Sequence, residues 1–337
     1  MIKQKSPILL LLTSLTLFGC GYFPDIAAKA QSHFTLNNPL KPRSDAVNKQ
    51  ATFNILPPQL SASDLATPLT YKLETYTSVA MGGNRTYGVS LPPGYDQNKT
   101  QRYPVVFLLH GGHGNPTDWF EQKGNALKTL KNLYATAKLP PSIVITPDGN
   151  DKRGSSRYWD PQYIDGPNGK VSTAVGEELV KIIQSKYRTL PNPDFWAIGG
   201  LSSGGWGAVN VGLQNSQNFS VLFSHSGYFK DKSGPKNSPI SYIKTMAPES
   251  KRKLRVYLDS GVSDTEELEE ARAFSEVLSR QKVYNQFRSY PGSHTWDYWR
   301  THLTDSLTFV GEQFKIAQIA HAADNLGFDK PKTQSNR

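Results

Sequence analysis

The sequence predicts an α/β domain with a mostly parallel central sheet covered by helices on both faces. Three observations carry that expectation. Strand-like apolar runs alternate with segments of helical periodicity through the middle of the chain, and no internal repeat interrupts the alternation. A chain of 337 residues, 37% apolar and 20% charged, is also long enough for one large domain with a substantial core.

Residues 1–19 stand apart from the rest. Lys3 and Lys5 form a basic start, Ile8 to Phe18 an apolar stretch too short for a membrane span, and Gly19 precedes Cys20. This resembles a bacterial lipoprotein signal with Leu17-Phe18-Gly19-Cys20 as its lipobox, which implies lipidation of Cys20 and a membrane anchor of acyl chains. Gly21, standing where an aspartate would retain such a protein, implies release to the outer membrane, facing the periplasm or the cell surface. Gln31 to about Pro68 is polar, dotted with proline and without periodicity, so residues 20–68 are expected to form a flexible tether. The domain is expected over 69–320 and a frayed tail over 321–337.

Within the domain, strands are expected at Tyr71 to Ser78, Thr86 to Leu91, Val105 to Leu109, Ile143 to Thr146, Phe195 to Ile198, Val221 to Ser224, Leu254 to Leu258 and Asn285 to Tyr290. Val175, Leu179, Ile182 and Ile183 fall on one helical face whose first turn is acidic, Glu177 and Glu178, and whose end is basic, Lys186 and Arg188. Leu268, Ala271, Phe274 and Leu278 make a second such face. In sheets of this kind ligands bind at the carboxyl ends of the strands, so chemistry is expected in the strand-to-helix turns.

Charge and cysteine usage narrow the partners. The formal net charge is +10, of which the leader's Lys3 and Lys5 supply two. The excess suits an anionic envelope surface or a negatively charged substrate, and ordinary solvated surface charge accounts for it as well. Nucleic acid is not an expected partner, because the basic residues are scattered and no binding module is recognisable. Cys20 is the sole cysteine, which excludes an intrachain disulfide and a cysteine-based zinc site. The histidines show no metal-ligand spacing, so neither metal nor cofactor is expected.

The stretch GGLSSGGWGA, Gly199 to Ala208, lies between an apolar run and a helical segment. A phosphate loop would need a lysine after its last glycine, and both frames lack one. What fits is GxSxG, with Gly200, Ser202 and Gly204: a nucleophile elbow in which glycines let the backbone pack closely around a strained serine. Ser202 or Ser203 could equally cap a helix, so the reading depends on partners.

A serine hydroxyl needs a general base, and the base needs an acid to fix its tautomer. The acid and base expected with an elbow follow the serine, in that order, on loops after late strands. DSGVSDT follows one such strand and PGSHTWDYW another, offering Asp264 and His294; Asp259 competes as the acid. Asp264 also reads, with Glu267, as a helix capping box. Two oxyanion donors are needed as well. The HGGHGNPTDWF loop after Val105 to Leu109 offers the Gly112 amide, and Ser203 offers the amide after the nucleophile.

These stretches, with YGVSLPPGYD, GEELVKIIQSKYRT and FSHSGYF, are similar to the esterase branch of the α/β-hydrolases, which includes S-formylglutathione hydrolases, feruloyl and acetylxylan esterases, enterochelin esterases and mycolyltransferases. The resemblance runs in family order from about Leu69 to Phe314. It implies an α/β-hydrolase fold, a serine carboxylesterase working through an acyl-enzyme, and an acid at Asp264. It departs at Ser203, where the family usually has methionine. Transfer of the acyl group to a sugar or lipid hydroxyl, and a binding lipoprotein without chemistry, are the rival expectations. Trp206 and Trp299 lie in helical segments and read as core, whereas Trp119 and Trp296 read as walls of a pocket for a small or glycan-linked ester.

Overall fold

In the computed structural model, which describes residues 55–155 and 163–325, eight of ten strands form a single sheet. The strands are β1 (Lys72–Ser78), β2 (Gly83–Ser90), β3 (Val105–Leu109), β4 (Ile143–Pro147), a two-residue ribbon β5 (Asp165–Gly166) and β6 (Gly169–Lys170), β7 (Trp196–Leu201), β8 (Val221–His225), β9 (Arg255–Gly261) and β10 (Tyr284–Tyr290). The sheet order is β1-β2-β4-β3-β7-β8-β9-β10. β2 runs antiparallel to both β1 and β4, and every pair from β4 to β10 is parallel. The helices are α1 (Ala62–Ala66), α2 (Ala126–Ala135), α3 (Val171–Thr173), α4 (Leu179–Lys186), α5 (Ser203–Gln214), α6 (Pro239–Thr245), α7 (Pro248–Lys253), α8 (Thr265–Arg280) and α9 (Trp296–Asn325). A π-helical turn, Ala174–Glu178, joins α3 to α4.

The central strands β3, β4, β7 and β8 are buried along their whole length, and the pleat sends alternate residues into two cores. In β3, Val105, Phe107 and Leu109 join Leu179, Ile183, Trp206, Ala271 and Phe274 from α4, α5 and α8. Val106 and Leu108 join Leu130, Leu133, Leu303, Leu307 and Val310 from α2 and α9 on the other face. The layering is the expected one, helix on sheet on helix.

Four of the boundaries that differ from the sequence expectation bear on the site or on the ends of the domain. β7 continues to Leu201 because Gly199 and Gly200 stay in register with Leu108 and Leu109. β9 runs to Gly261, so Asp259 is a strand residue rather than a loop residue. The expected tether end at residue 68 falls inside folded chain: Leu56 is buried and its amide donates to Gln318 Oε1, and Ser61 caps α1. The expected tail from 321 is helical to Asn325, with His321 paired to Asp194. The leader and the rest of the tether, including Cys20, lie outside the described residues. Among the described residues no helix is long and apolar enough to cross a membrane.

Candidate active site

The β7-to-α5 turn has the backbone of an elbow. Ser202 sits at φ 53° and ψ −126°, a region that non-glycine residues enter only when the surroundings force it. Its N–H donates to the His225 carbonyl at the end of β8 (2.9 Å), and Trp206 N–H donates back to its carbonyl (3.0 Å). Side chains are impossible beside it: a Cβ on Gly200 would stand 2.6 Å from the carbonyl oxygens of Gly204 and Leu109, and one on Gly204 would collide with the His110 carbonyl.

Two loops from later strands converge on this serine. His294, after β10, places Nε2 2.9 Å from Ser202 Oγ and Nδ1 2.9 Å from Asp264 Oδ2. An ionised carboxylate only accepts, so Nδ1–H donates to Asp264 and leaves Nε2 free to accept the serine proton. Burial alone would push the Asp264 carboxyl up, but hydrogen bonds from Glu267, Ser226 and His294 outweigh it and hold it below the usual carboxylate range. Trp299 packs edge-on against His294, 4.8 Å between ring centres, and donates Nε1–H to Ser226 Oγ.

The rival acid has another partner. Asp259 is fully buried; both its carboxylate oxygens lie 2.9 Å from His225 Nδ1, and it accepts from the Tyr298 hydroxyl. His225 Nε2 meets Ser306 Oγ on α9 at 3.0 Å. The capping-box reading of Asp264 also fails, since Asp264 occupies the N-cap of α8 without a side-chain cap hydrogen bond. Its carboxylate is turned to His294 instead.

The loop after β3 abuts the elbow: a Cβ on Gly111 would lie 3.5 Å from Ser202 Cβ. Buried His110 fastens it. Gly149 N–H donates to His110 Nε2 (3.0 Å), so the other nitrogen carries the proton and donates to the Gly111 carbonyl (2.9 Å). Burial holds this imidazole below its usual pKa and therefore neutral. The Gly111 carbonyl also accepts from Gly114 N–H. The next amide in the chain, that of Gly112, belongs to the peptide so fixed, while Ser203 opens α5, where backbone N–H groups have no acceptor within the helix.

The two tryptophans expected as pocket walls separate. Trp119 is only 1% exposed, donates Nε1–H to the Leu109 carbonyl, and presents no surface to a ligand; it is core, a correction with a plain cause in that hydrogen bond. Trp296 is partly exposed and packs across Trp119 and Trp299 near His294. Trp206 and Trp299 are buried as expected. Sequence reasoning did not single out Ser226, His110 as a loop fastener, or Glu267 as a neighbour of the acid. Ligand atoms of Asp264, Glu267 and His294 lie within 4.8 Å of one another, a donor set that a divalent cation could use, but both His294 nitrogens are already hydrogen bonded, Nδ1 to Asp264 and Nε2 to Ser202.

Fold and site together define an α/β-hydrolase. The "Putative esterase" family model matches residues 78–310, and the chain belongs to that family. It is 25% identical over 243 residues to an uncharacterized protein of Corynebacterium glutamicum, covering 66% of this chain and 56% of that one, so the chain spans about half that relative's length. An acetyl esterase of Caldicellulosiruptor saccharolyticus is 24% identical over 242 residues, 63% of this chain and 85% of its own. Among solved structures, a ferulic acid esterase superposes with a TM-score of 0.66 at 27% identity, covering 73% of this chain and 98% of that chain.

Proposed function

We propose that the protein is a serine carboxylesterase in which Ser202 is the nucleophile, His294 the general base and acid, and Asp264 the residue that orients His294. The observation that carries this is the unbroken hydrogen-bonded line Asp264–His294–Ser202 ending at a strained elbow. Ser202 Oγ gives its proton to His294 Nε2 as it attacks the ester carbonyl. The amides of Gly112 and Ser203 hold the oxyanion, and His294 returns the proton to the departing alkoxide. Water, deprotonated by the same imidazole, then releases the acyl group from Ser202.

Relatives described as acetyl and ferulic acid esterases support an acetyl or hydroxycinnamoyl ester as substrate, with Trp296 as the aromatic surface beside it. The leader supports a chain exported and tethered through Cys20. Ser202→Ala is expected to abolish hydrolysis of p-nitrophenyl acetate and methyl ferulate and to abolish fluorophosphonate labelling, with an unchanged circular dichroism spectrum. Wild-type turnover in the folded variant would refute the assignment.

A further inference from the structure

Glu267 stands in the first turn of α8, three residues after Asp264, where a carboxylate would ordinarily bond the backbone at the helix start. Here its side chain, besides bonding its own backbone N–H, faces the Asp264 carboxyl, hydrogen bonds to it, and has a carboxyl oxygen within 4.8 Å of ligand atoms of both the acid and His294. Two carboxyl groups this close are not both ionised cheaply; they share a proton. Asp264 is the better placed to be the anion, because Ser226 and His294 Nδ1–H also donate to it. Among the described residues Glu267 accepts only from its own backbone N–H, so the shared proton resides there.

We propose that Glu267 is a positioning residue whose carboxyl proton, donated to Asp264, holds that carboxylate against His294, and that loss of the proton loosens the pair. The inference rests on the serine esterase reading above. Among the described residues the charged groups acting on Glu267 are Asp264, from the N-cap of its own helix, and His294, from the loop after β10. Burial, together with the Asp264 carboxylate, lifts the Glu267 carboxyl to about 7, which places the switch at neutral pH.

The sign follows directly. Below about 7 Glu267 keeps its proton and the contact is intact; above it the proton leaves to solvent, one hydrogen bond is lost, and two anions face each other. A hydrogen bond of ordinary strength corresponds to a few-fold to roughly tenfold in rate when it acts on the reacting geometry. The pH profile of kcat is therefore expected to fall on its alkaline side with a midpoint near that of Glu267.

Glu267→Gln supplies a donor at every pH. It is expected to keep kcat within about threefold of wild type at neutral pH and to lose the alkaline decline, whereas Glu267→Ala loses about tenfold in kcat with little change in KM. Carboxyl carbon NMR of the wild-type protein, assigned by difference from Glu267→Gln, is expected to show one glutamate titrating near neutral pH. An alkaline decline that persists in Glu267→Gln, or a Glu267 resonance titrating in the ordinary carboxylate range, overturns the proposal. A wild-type protein with no esterase activity would instead defeat the functional reading, while the NMR titration would still decide the state of Glu267.

Discussion

Asp259 and Asp264 lie five positions apart at the end of one strand, and the sequence alone does not divide their roles cleanly. The pleat does. Asp259 shares a face with Tyr257, so its side chain enters the core against α9, where Tyr298 and Ser306 wait with His225. Asp264 lies past the strand, in the turn that also starts α8. Their substitutions should therefore fail in different ways. Asp264→Asn is expected to lower kcat by at least about a thousandfold, since it spoils the tautomer of His294, while leaving thermal stability near wild type. Asp259→Asn disturbs a buried hydrogen-bonded cluster with His225 and Tyr298 and is expected to cost about 1–3 kcal/mol, read as a lowered melting midpoint, in protein that still labels with fluorophosphonate when folded. Equal activity losses in both variants would refute this division. Glu267 was visible in the sequence only as half of a capping box, because spacing reports which residues share a helix turn and not which way their side chains turn.

Elements were far more legible than contacts. All eight strands of the main sheet fall within a few residues of the expected runs, because the central ones are blocks of apolar or β-branched residues and the outer ones are aromatic or β-branched segments set off by turn residues. Of the expected helical face, Val175, Leu179 and Ile183 are buried while Ile182 is half-buried and Val180 is buried beside them, as a π turn at Ala174–Glu178 shifts the register by one residue. Trp119 was misread because it follows a loop that does border the elbow, and only the hydrogen bond to Leu109 turns it inward. The elbow is the element where sequence and structure agree most closely, since its glycines are required by close backbone approach. Gly204→Ala puts a methyl group on the His110 carbonyl and is expected to cost about 1–3 kcal/mol and to reduce fluorophosphonate labelling sharply. A variant with wild-type melting and labelling would show that the turn has room to spare.

At the scale of the whole molecule, the two cores tie the central strands of the sheet to helices on both sides, and the site occupies the rim where β7, β9 and β10 end. If the leader is processed as its residues suggest, Cys20→Ala is expected to leave the protein in the soluble fraction of its cells and to remove incorporation of labelled fatty acid, with esterase activity per molecule unchanged. Membrane association that survives the substitution would point to some other means of attachment.

Helix α9 adds a geometric consequence. It begins two residues after His294, and Gln318, which holds the amide of Leu56, lies six turns further along it. Leu56 is therefore held roughly 33 Å of helix away from the start of α9 beside His294, on the side that the strand beginnings share with Asp194 and His321. The helix thus works as a spacer, so that the contact holding Leu56 at one end does not crowd the mouth beside His294 at the other.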